Sequence, residues 1–232
     1  MFWDSTYILV LIGAVICMIA SANVNTTFKK YSKYRSATNM TGAQAAQRLL
    51  SAAGITDVTV GHVAGNLSDH YNPATKQLNL SDSVYNSTSV AAVGVAAHEC
   101  GHAIQHAKGY APLSLRSAFL PVANLGSKLA WPVILLGLFI NSESSQTIIN
   151  VGIILFSFAV IFQILTLPVE FNASRRALVL LEQQGILGSS ELPYTRKVLS
   201  AAALTYVASV ASSILQLLRL VILFGGRRRN DD

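Results

Sequence analysis

The sequence predicts a mainly α-helical protein in which long apolar helices surround a small α+β part. Three observations lead there. Of 232 residues, 52% are hydrophobic and only 12% are charged, where a soluble domain carries roughly a quarter charged residues. The mean hydropathy is +0.46. The apolar residues gather in four runs, at 7–22, 118–140, 148–169 and 198–224, and between the first two lies a polar stretch with turn and strand signals. A wholly soluble globular protein is excluded. Net charge +6, from 17 Lys and Arg against 11 Asp and Glu, admits nucleic acid, an acidic partner or a membrane surface, and position decides among them.

The first run, YILVLIGAVICMIASA, falls short of the ~20 residues that span a bilayer, but Phe2 and Trp3 can extend it as interfacial anchors. Residues 1–24 therefore read as an N-terminal membrane anchor. Ala20-Ser21-Ala22 has the look of a signal-peptidase site, yet the run is preceded by Asp4 and by no Lys or Arg, the reverse of a signal peptide's basic start. Lys29, Lys30, Lys33 and Arg35 follow. By the positive-inside rule they put the N-terminus outside and the next part of the chain in the cytoplasm.

That part, residues 25–117, has the pattern of a folded domain. Thr41 can cap a helix, TGAQAAQRLLSAA, that Gly54 ends, and Val58-Thr59-Val60 begins a strand. Residues 69–81 (DHYNPATKQLNLS) read as a hairpin turning at Asn72-Pro73, with Gln77, Leu78, Asn79 and Leu80 alternating as in a half-buried strand. Residues 89–107 are Ala- and Gly-rich, carry His98, Glu99, His102 and His106, and hold an apolar stretch too short to span. They read as a buried helix with the hairpin or a small sheet beside it.

Residues 118–169 read as a transmembrane hairpin. Its loop, 141–147, contains Glu143 and no Lys or Arg and so lies outside, while Lys128 either snorkels or marks the true membrane entry. The chain returns to the cytoplasm at Glu170, where Arg175 and Arg176 follow, and residues 170–197 lead to a fourth membrane-associated helix and basic tail at 198–232. Arg196 and Lys197 precede this last run, and Arg227, Arg228 and Arg229 follow it. Thr205, Ser209, Ser212, Gln216 and Arg219 form one polar stripe, so the helix either spans with its stripe against protein or lies in the interface. Both readings stay open. Cys17 and Cys100 have the spacing of neither a disulfide framework nor a thiolate zinc cage. Because the basic residues sit at the ends of apolar segments rather than on one soluble face, nucleic acid is not an expected partner.

The chemistry concentrates in AAHECGHAIQH, where His98-Glu99-Cys100-Gly101-His102 fits H-E-x-x-H. On a helix, residues four apart share a face with Cβ atoms about 6 Å apart, so two imidazoles can converge on one Zn2+. Glu99 sits about 100° round the helix. From there it can act as general base toward a zinc-activated water, which is metallopeptidase chemistry. The plain alternative is a buried Ala-rich helix whose histidines bond to backbone. A zinc site needs a third protein ligand. His106 lies eight residues past His98, about 12 Å along the same helix, and cannot join both other histidines unless the helix ends at Gly101. His62 and His70 fall on the strand side and read as ordinary strand histidines, and Glu170 read alone is an interfacial charge that ends a span.

An H-E-x-x-H helix followed, after a membrane hairpin, by Glu-x-x-Ala at the start of another helix resembles integral-membrane zinc peptidases of the HtpX type. More closely, the chain resembles the bacterial YugP-like neutral zinc metallopeptidases over nearly its full length, through the anchor, TGAQAAQRLL, DHYNP, GVAAHECGHAIQH, LPVEFNASRRAL and YTRKVLSAAALTYVA. The resemblance implies a zincin-like α+β metallopeptidase domain, one zinc per chain held by His98, His102 and Glu170, and Glu99 as catalytic base. Four residues after the glutamate, where the HtpX pattern has Asp, this chain has Ser174. A Ser orients a ligand histidine only weakly, and Asn172 or backbone carbonyls can substitute. The resemblance also suggests that Lys76–Ser81 is an edge strand to which substrate adds. Tyr194, Tyr206, Arg175 and Arg176 are oxyanion candidates by residue type.

The expectation is a multi-pass protein of the bacterial cell membrane, with lipid bilayer and a peptide or protein substrate, membrane proteins included, as its partners. It is read as a zinc-dependent endopeptidase with its site at the cytoplasmic membrane surface. The alternative is a catalytically silent membrane scaffold or adaptor that keeps a zinc site. A site inside the bilayer is disfavoured by the short apolar run before His98 and by the lack of any Asp-Gly pair.

Overall fold

Residues 4–140, 142 and 144–225 are described by the structure, a computed structural model. Phe2, Trp3, Glu143 and Arg227 to Arg229 lie outside the described residues. The elements run α1 (Tyr7–Tyr31), α2 (Gly42–Ala52), β1 (Thr59–Val63), β2 (His70–Asn72), β3 (Gln77–Ser81), α3 (Val90–Ala107), α4 (Ala111–Phe139), α5 (Ser145–Gln183) and α6 (Leu192–Phe224). Packing divides them into two compact units, each built partly from the long helices.

One unit comprises Ser21–Ser114 and Pro168–Leu204 and carries the sheet. Thr41 caps α2 in a full capping box: its hydroxyl accepts from Gln44 N, and the Gln44 side chain accepts from Thr41 N. Two orphan donors of the first turn are thereby satisfied. Gly54, at φ +72°, takes the left-handed conformation that follows the helix. In the hairpin, the Asn72 Oδ1 accepts from Ala74 N at 2.9 Å and closes the turn that leads from β2 into β3.

The strand order is β1-β3-β2, with β1 parallel and β2 antiparallel to β3. The expectation that Lys76–Ser81 forms an edge is therefore corrected. Both sides of β3 are occupied, because the strand begun at Val58 to Val60 pairs with it through the register Thr59↔Gln77 to Val63↔Ser81. The burial of Leu78 and Leu80 suits a central strand, and the open edges belong to β1 and β2.

Helix α3 is the axis of this unit. Ser89 caps it by accepting from Ala92 N at 3.1 Å. Its small residues Ala91, Ala92, Ala96, Ala97 and Cys100 are fully buried in one core with Leu49 and Leu50 of α2, Leu78 and Leu80 of β3, Ala177 and Leu181 of α5, and Val198 and Leu199 of α6. Alanine at these positions lets three helices approach α3 closely.

The other unit comprises the described residues of Met1–Ala20, Leu115–Leu167 and Thr205–Asp232. Its part of α6 runs antiparallel along α1. The contacts fall in reversed order: a Cβ at Gly13 would meet the Ser212 hydroxyl oxygen at 2.6 Å, Cys17 Sγ lies 3.6 Å from Ala208 O, and Arg219 pairs with Asp4 at 3.3 Å. Ser212 and Arg219 of the polar stripe thus face protein. Helices α4 and α5 pack closely at Gly126 and Gly152, where a Cβ would run into Leu155 O and Ile134 Cγ1.

Four helices, α1, α4, α5 and α6, are long and apolar enough to cross a membrane. Helix α5 has 39 residues, about 58 Å at 1.5 Å per residue, against a hydrocarbon core of about 30 Å. Glu170 therefore does not stand at the start of another helix, as the resemblance had implied. It lies within α5, two residues past Pro168. That proline costs one backbone hydrogen bond, and the apolar, alanine- and leucine-bearing sequence on both sides carries the helix through it.

Candidate metal centre

Successive turns of α3 present His98 and His102 on one face, and Glu170 comes to them from α5. The approach depends on Gly101. A Cβ there would lie 2.7 Å from Ala173 O and 3.0 Å from its Cα, so any larger residue would push the two helices apart. The glycine inside the motif is what lets a carboxylate on another helix reach the imidazoles.

The three ligand atoms form a nearly equilateral triangle. His98 Nε2 is 3.2 Å from His102 Nε2, and Glu170 Oε2 lies 3.3 Å from the first and 3.5 Å from the second. Ligands about 2.05 Å from a tetrahedral zinc are separated by edges of about 3.3 Å, so the donor set fits that ion in chemistry and in spacing. Glu170 is 3% exposed and Glu99 7%. A buried carboxylate against two imidazoles is an arrangement that a divalent cation stabilises.

Each histidine is held through its other nitrogen. His98 Nδ1 lies 3.1 Å from Ser174 Oγ, and His102 Nδ1 lies 3.1 Å from Gln105 Oε1. Gln105 is fully buried, and its Nε2 donates to Val169 O at 2.9 Å and to Asn172 Oδ1 at 3.0 Å. Since a backbone carbonyl only accepts, the amide nitrogen must face Val169 and the amide oxygen must face His102. His102 therefore donates from Nδ1, which leaves the Nε2 lone pair for a metal. Arg176 Nε donates to the same Asn172 oxygen at 2.6 Å, and its guanidinium lies over Tyr110.

Ser174 thus does reach a histidine directly, while Asn172 acts one step removed by orienting Gln105. Gln105 was missed in the sequence, although it stands three residues after His102 and so on the same helix face. Burial works against a charged His102, but its hydrogen bond to Glu170 and the negative charges of Glu99 and Glu170 outweigh this and raise its pKa above the ordinary histidine value. Burial pushes the Cys100 thiol far up, and its Sγ lies 3.6 Å from Ala46 O of α2 rather than with the three ligand atoms. No group among the described residues hydrogen-bonds to the Glu99 carboxylate.

The remaining histidines are not brought to the triangle. His106 is exposed and lies 2.9 Å from the Tyr71 hydroxyl, His62 bonds to Asp82 at 2.7 Å, and His70 bonds to Ser68 O at 2.9 Å. Among the oxyanion candidates, Tyr194 stacks on Tyr31 with centroids 5.3 Å apart, Arg175 is exposed, and Arg176 is committed to Asn172. Tyr206 belongs to the other unit.

The family described as "Putative neutral zinc metallopeptidase" matches residues 6–225. The chain is 45% identical over 212 residues to "Putative membrane protease YugP" of Bacillus subtilis (strain 168), covering 91% of this chain and 93% of that protein. No solved structure matches it.

Proposed function

The chain belongs to the neutral zinc metallopeptidase family whose match spans residues 6–225, and on that premise we propose that it is a membrane-anchored zinc endopeptidase. One zinc ion per chain is held by His98, His102 and Glu170, and Glu99 is the general base. The observation that carries this reading is the 3.2–3.5 Å triangle of two imidazole nitrogens and one carboxylate oxygen, with an uncommitted glutamate one residue from the first histidine. When bound, zinc supplies Lewis acidity that polarises an amide carbonyl and makes water a nucleophile near neutral pH.

The chain's own residues do the rest. Glu99 takes the proton from the attacking water and delivers it to the departing nitrogen. Gln105 and Ser174 hold His102 and His98 in orientation. Substrate backbone pairs with the open edge of β2, the strand tied to α3 through Tyr71 and His106. In this reading residues 1–24 anchor the protein, 118–169 form a transmembrane hairpin and 198–224 cross once more. Lys29, Lys30, Lys33, Arg35, Arg175 and Arg176 face the cytoplasm, and Glu170, directly after an apolar run, puts the site at that membrane surface.

The test is proteolysis of an unfolded protein substrate by the purified full chain, with Glu99→Gln as control. The expected loss in kcat is about 10²- to 10⁴-fold with zinc content unchanged. Equal activity in both proteins removes Glu99 as base. No activity in either, with one equivalent of zinc bound, favours the silent scaffold instead.

A further inference from the structure

Within the sheet-bearing unit, a groove of about 430 Å³ runs between the end of α1 and the start of α6. Lys30, Arg196 and Lys197 line it, and the side chains of Asn23, Thr27 and Ser200 add hydrogen-bonding groups. Its remaining wall is apolar and includes Ala201 and Leu204. None of the three cations pairs with a carboxylate among the described residues. Arg196 and Lys197 also border a second groove that carries Glu182, with no ion pair to it. Lys30 Nζ lies 5.5 Å from the centre of the Tyr31 ring.

Three like charges in one concavity repel one another unless an anion enters. The positive-inside rule accounts for basic residues on this side of the chain but not for their convergence with neutral donors and an apolar wall. Lys29 and Lys33 have the same sign and do not line the groove. Both helices pass here from polar to apolar sequence: the first apolar run ends at Ala22 and the last begins at Val198. A ligand that matches must itself be anionic at one end and apolar at the other.

We propose that this groove binds the headgroup of an anionic phospholipid. Its phosphate sits among Lys30, Arg196 and Lys197, and its glycerol and first methylenes lie against Ala201 and Leu204. A basic pocket between membrane helices is a recurrent setting for such headgroups.

Native mass spectrometry of the delipidated full chain, titrated with phosphatidylglycerol or phosphatidylcholine, tests the proposal. One phosphatidylglycerol is expected to be retained and phosphatidylcholine not. The triple variant Lys30→Gln, Arg196→Gln, Lys197→Gln is expected to bind it about 100-fold more weakly. Lys29→Gln, Lys33→Gln, Arg35→Gln, which removes equal charge elsewhere, is expected to bind as the parent does. Ser200→Trp keeps every charge but fills the groove, and it is expected to weaken binding too; if the groove triple variant fails to fold, this variant decides. Equal loss in both triple variants, or parent-like binding by Ser200→Trp, overturns the site in favour of diffuse attraction. Full displacement by an equal concentration of inorganic phosphate overturns the lipid as its ligand.

Discussion

The sheet-bearing unit buries Leu49, Leu78, Leu80 and Leu181 and admits a few polar groups, Glu99, Gln105, Glu170 and Thr195, each at a defined place. In the other unit Met18, Leu136, Phe139 and Ile154 point outward, with Phe139 85% exposed, while Ser212, Ser213 and Arg219 turn toward protein. The first unit buries its apolar side chains as proteins do in water, and the second turns many of them outward, as proteins do in hydrocarbon. In water, apolar burial drives packing, and a buried polar group has to earn its place through bonding or chemistry. In lipid, outward leucine costs nothing, and small residues and polar pairs hold helices together. The same side-chain types therefore carry different information in the two units.

Glu170→Ala gives the sharpest test of the buried polar groups as a metal centre. Zinc content, measured by elemental analysis, is expected to fall from one equivalent to a small fraction of that. Full retention would leave Glu170 an ordinary buried carboxylate and erase the contrast between the units at this point. Gln105→Ala is expected to weaken zinc by about 10- to 100-fold, read by competition with a chelator. Unchanged affinity with a lowered melting temperature would make the Val169, Asn172 and Arg176 network purely structural.

Gly101→Ala tests the close approach itself. The added methyl meets backbone of Ala173, and overpacking of this kind is expected to cost about 1–3 kcal/mol in denaturant unfolding. Wild-type stability would mean that α3 and α5 have slack. The smallest effect belongs to the lipid-organised unit. Ser213 donates to Gln163 Oε1 at 3.0 Å, and a double-mutant cycle with Ser213→Ala and Gln163→Leu is expected to return about 0.6 kcal/mol, the usual value for such bonds between membrane helices. A coupling several times larger would indicate a unit that packs as a soluble core does.

Much of the architecture could be read from the chain because its signals are local. Thr41 with Gly54, the Asn72-Pro73 turn and the alanine- and glycine-rich run at 89–107 are each short-range signals, and α2, the hairpin and α3 lie where those signals put them. The error at Lys76–Ser81 is of another kind. An alternating strand looks the same whether one or both of its edges are paired, and only the long-range partner β1 makes β3 central. The continuity of α5 through Pro168 was hidden for a similar reason. A proline marks a local loss of one hydrogen bond, and whether the helix survives depends on what the flanking segments pack against.

Sequence alone determined the apolar runs, the charges that flank them and the pair of histidines four residues apart, since each follows from helix periodicity or from transfer between water and lipid. It also named Glu170, through resemblance rather than through spacing. Tertiary structure decided which atoms meet. The contact of Gly101 with Ala173 brings a carboxylate 68 residues beyond His102 to within 3.5 Å of its Nε2, and the buried Gln105 amide selects the histidine tautomer. Both depend on two helices touching at one point along their length, and a distance of that kind is a property of packing that no local pattern encodes.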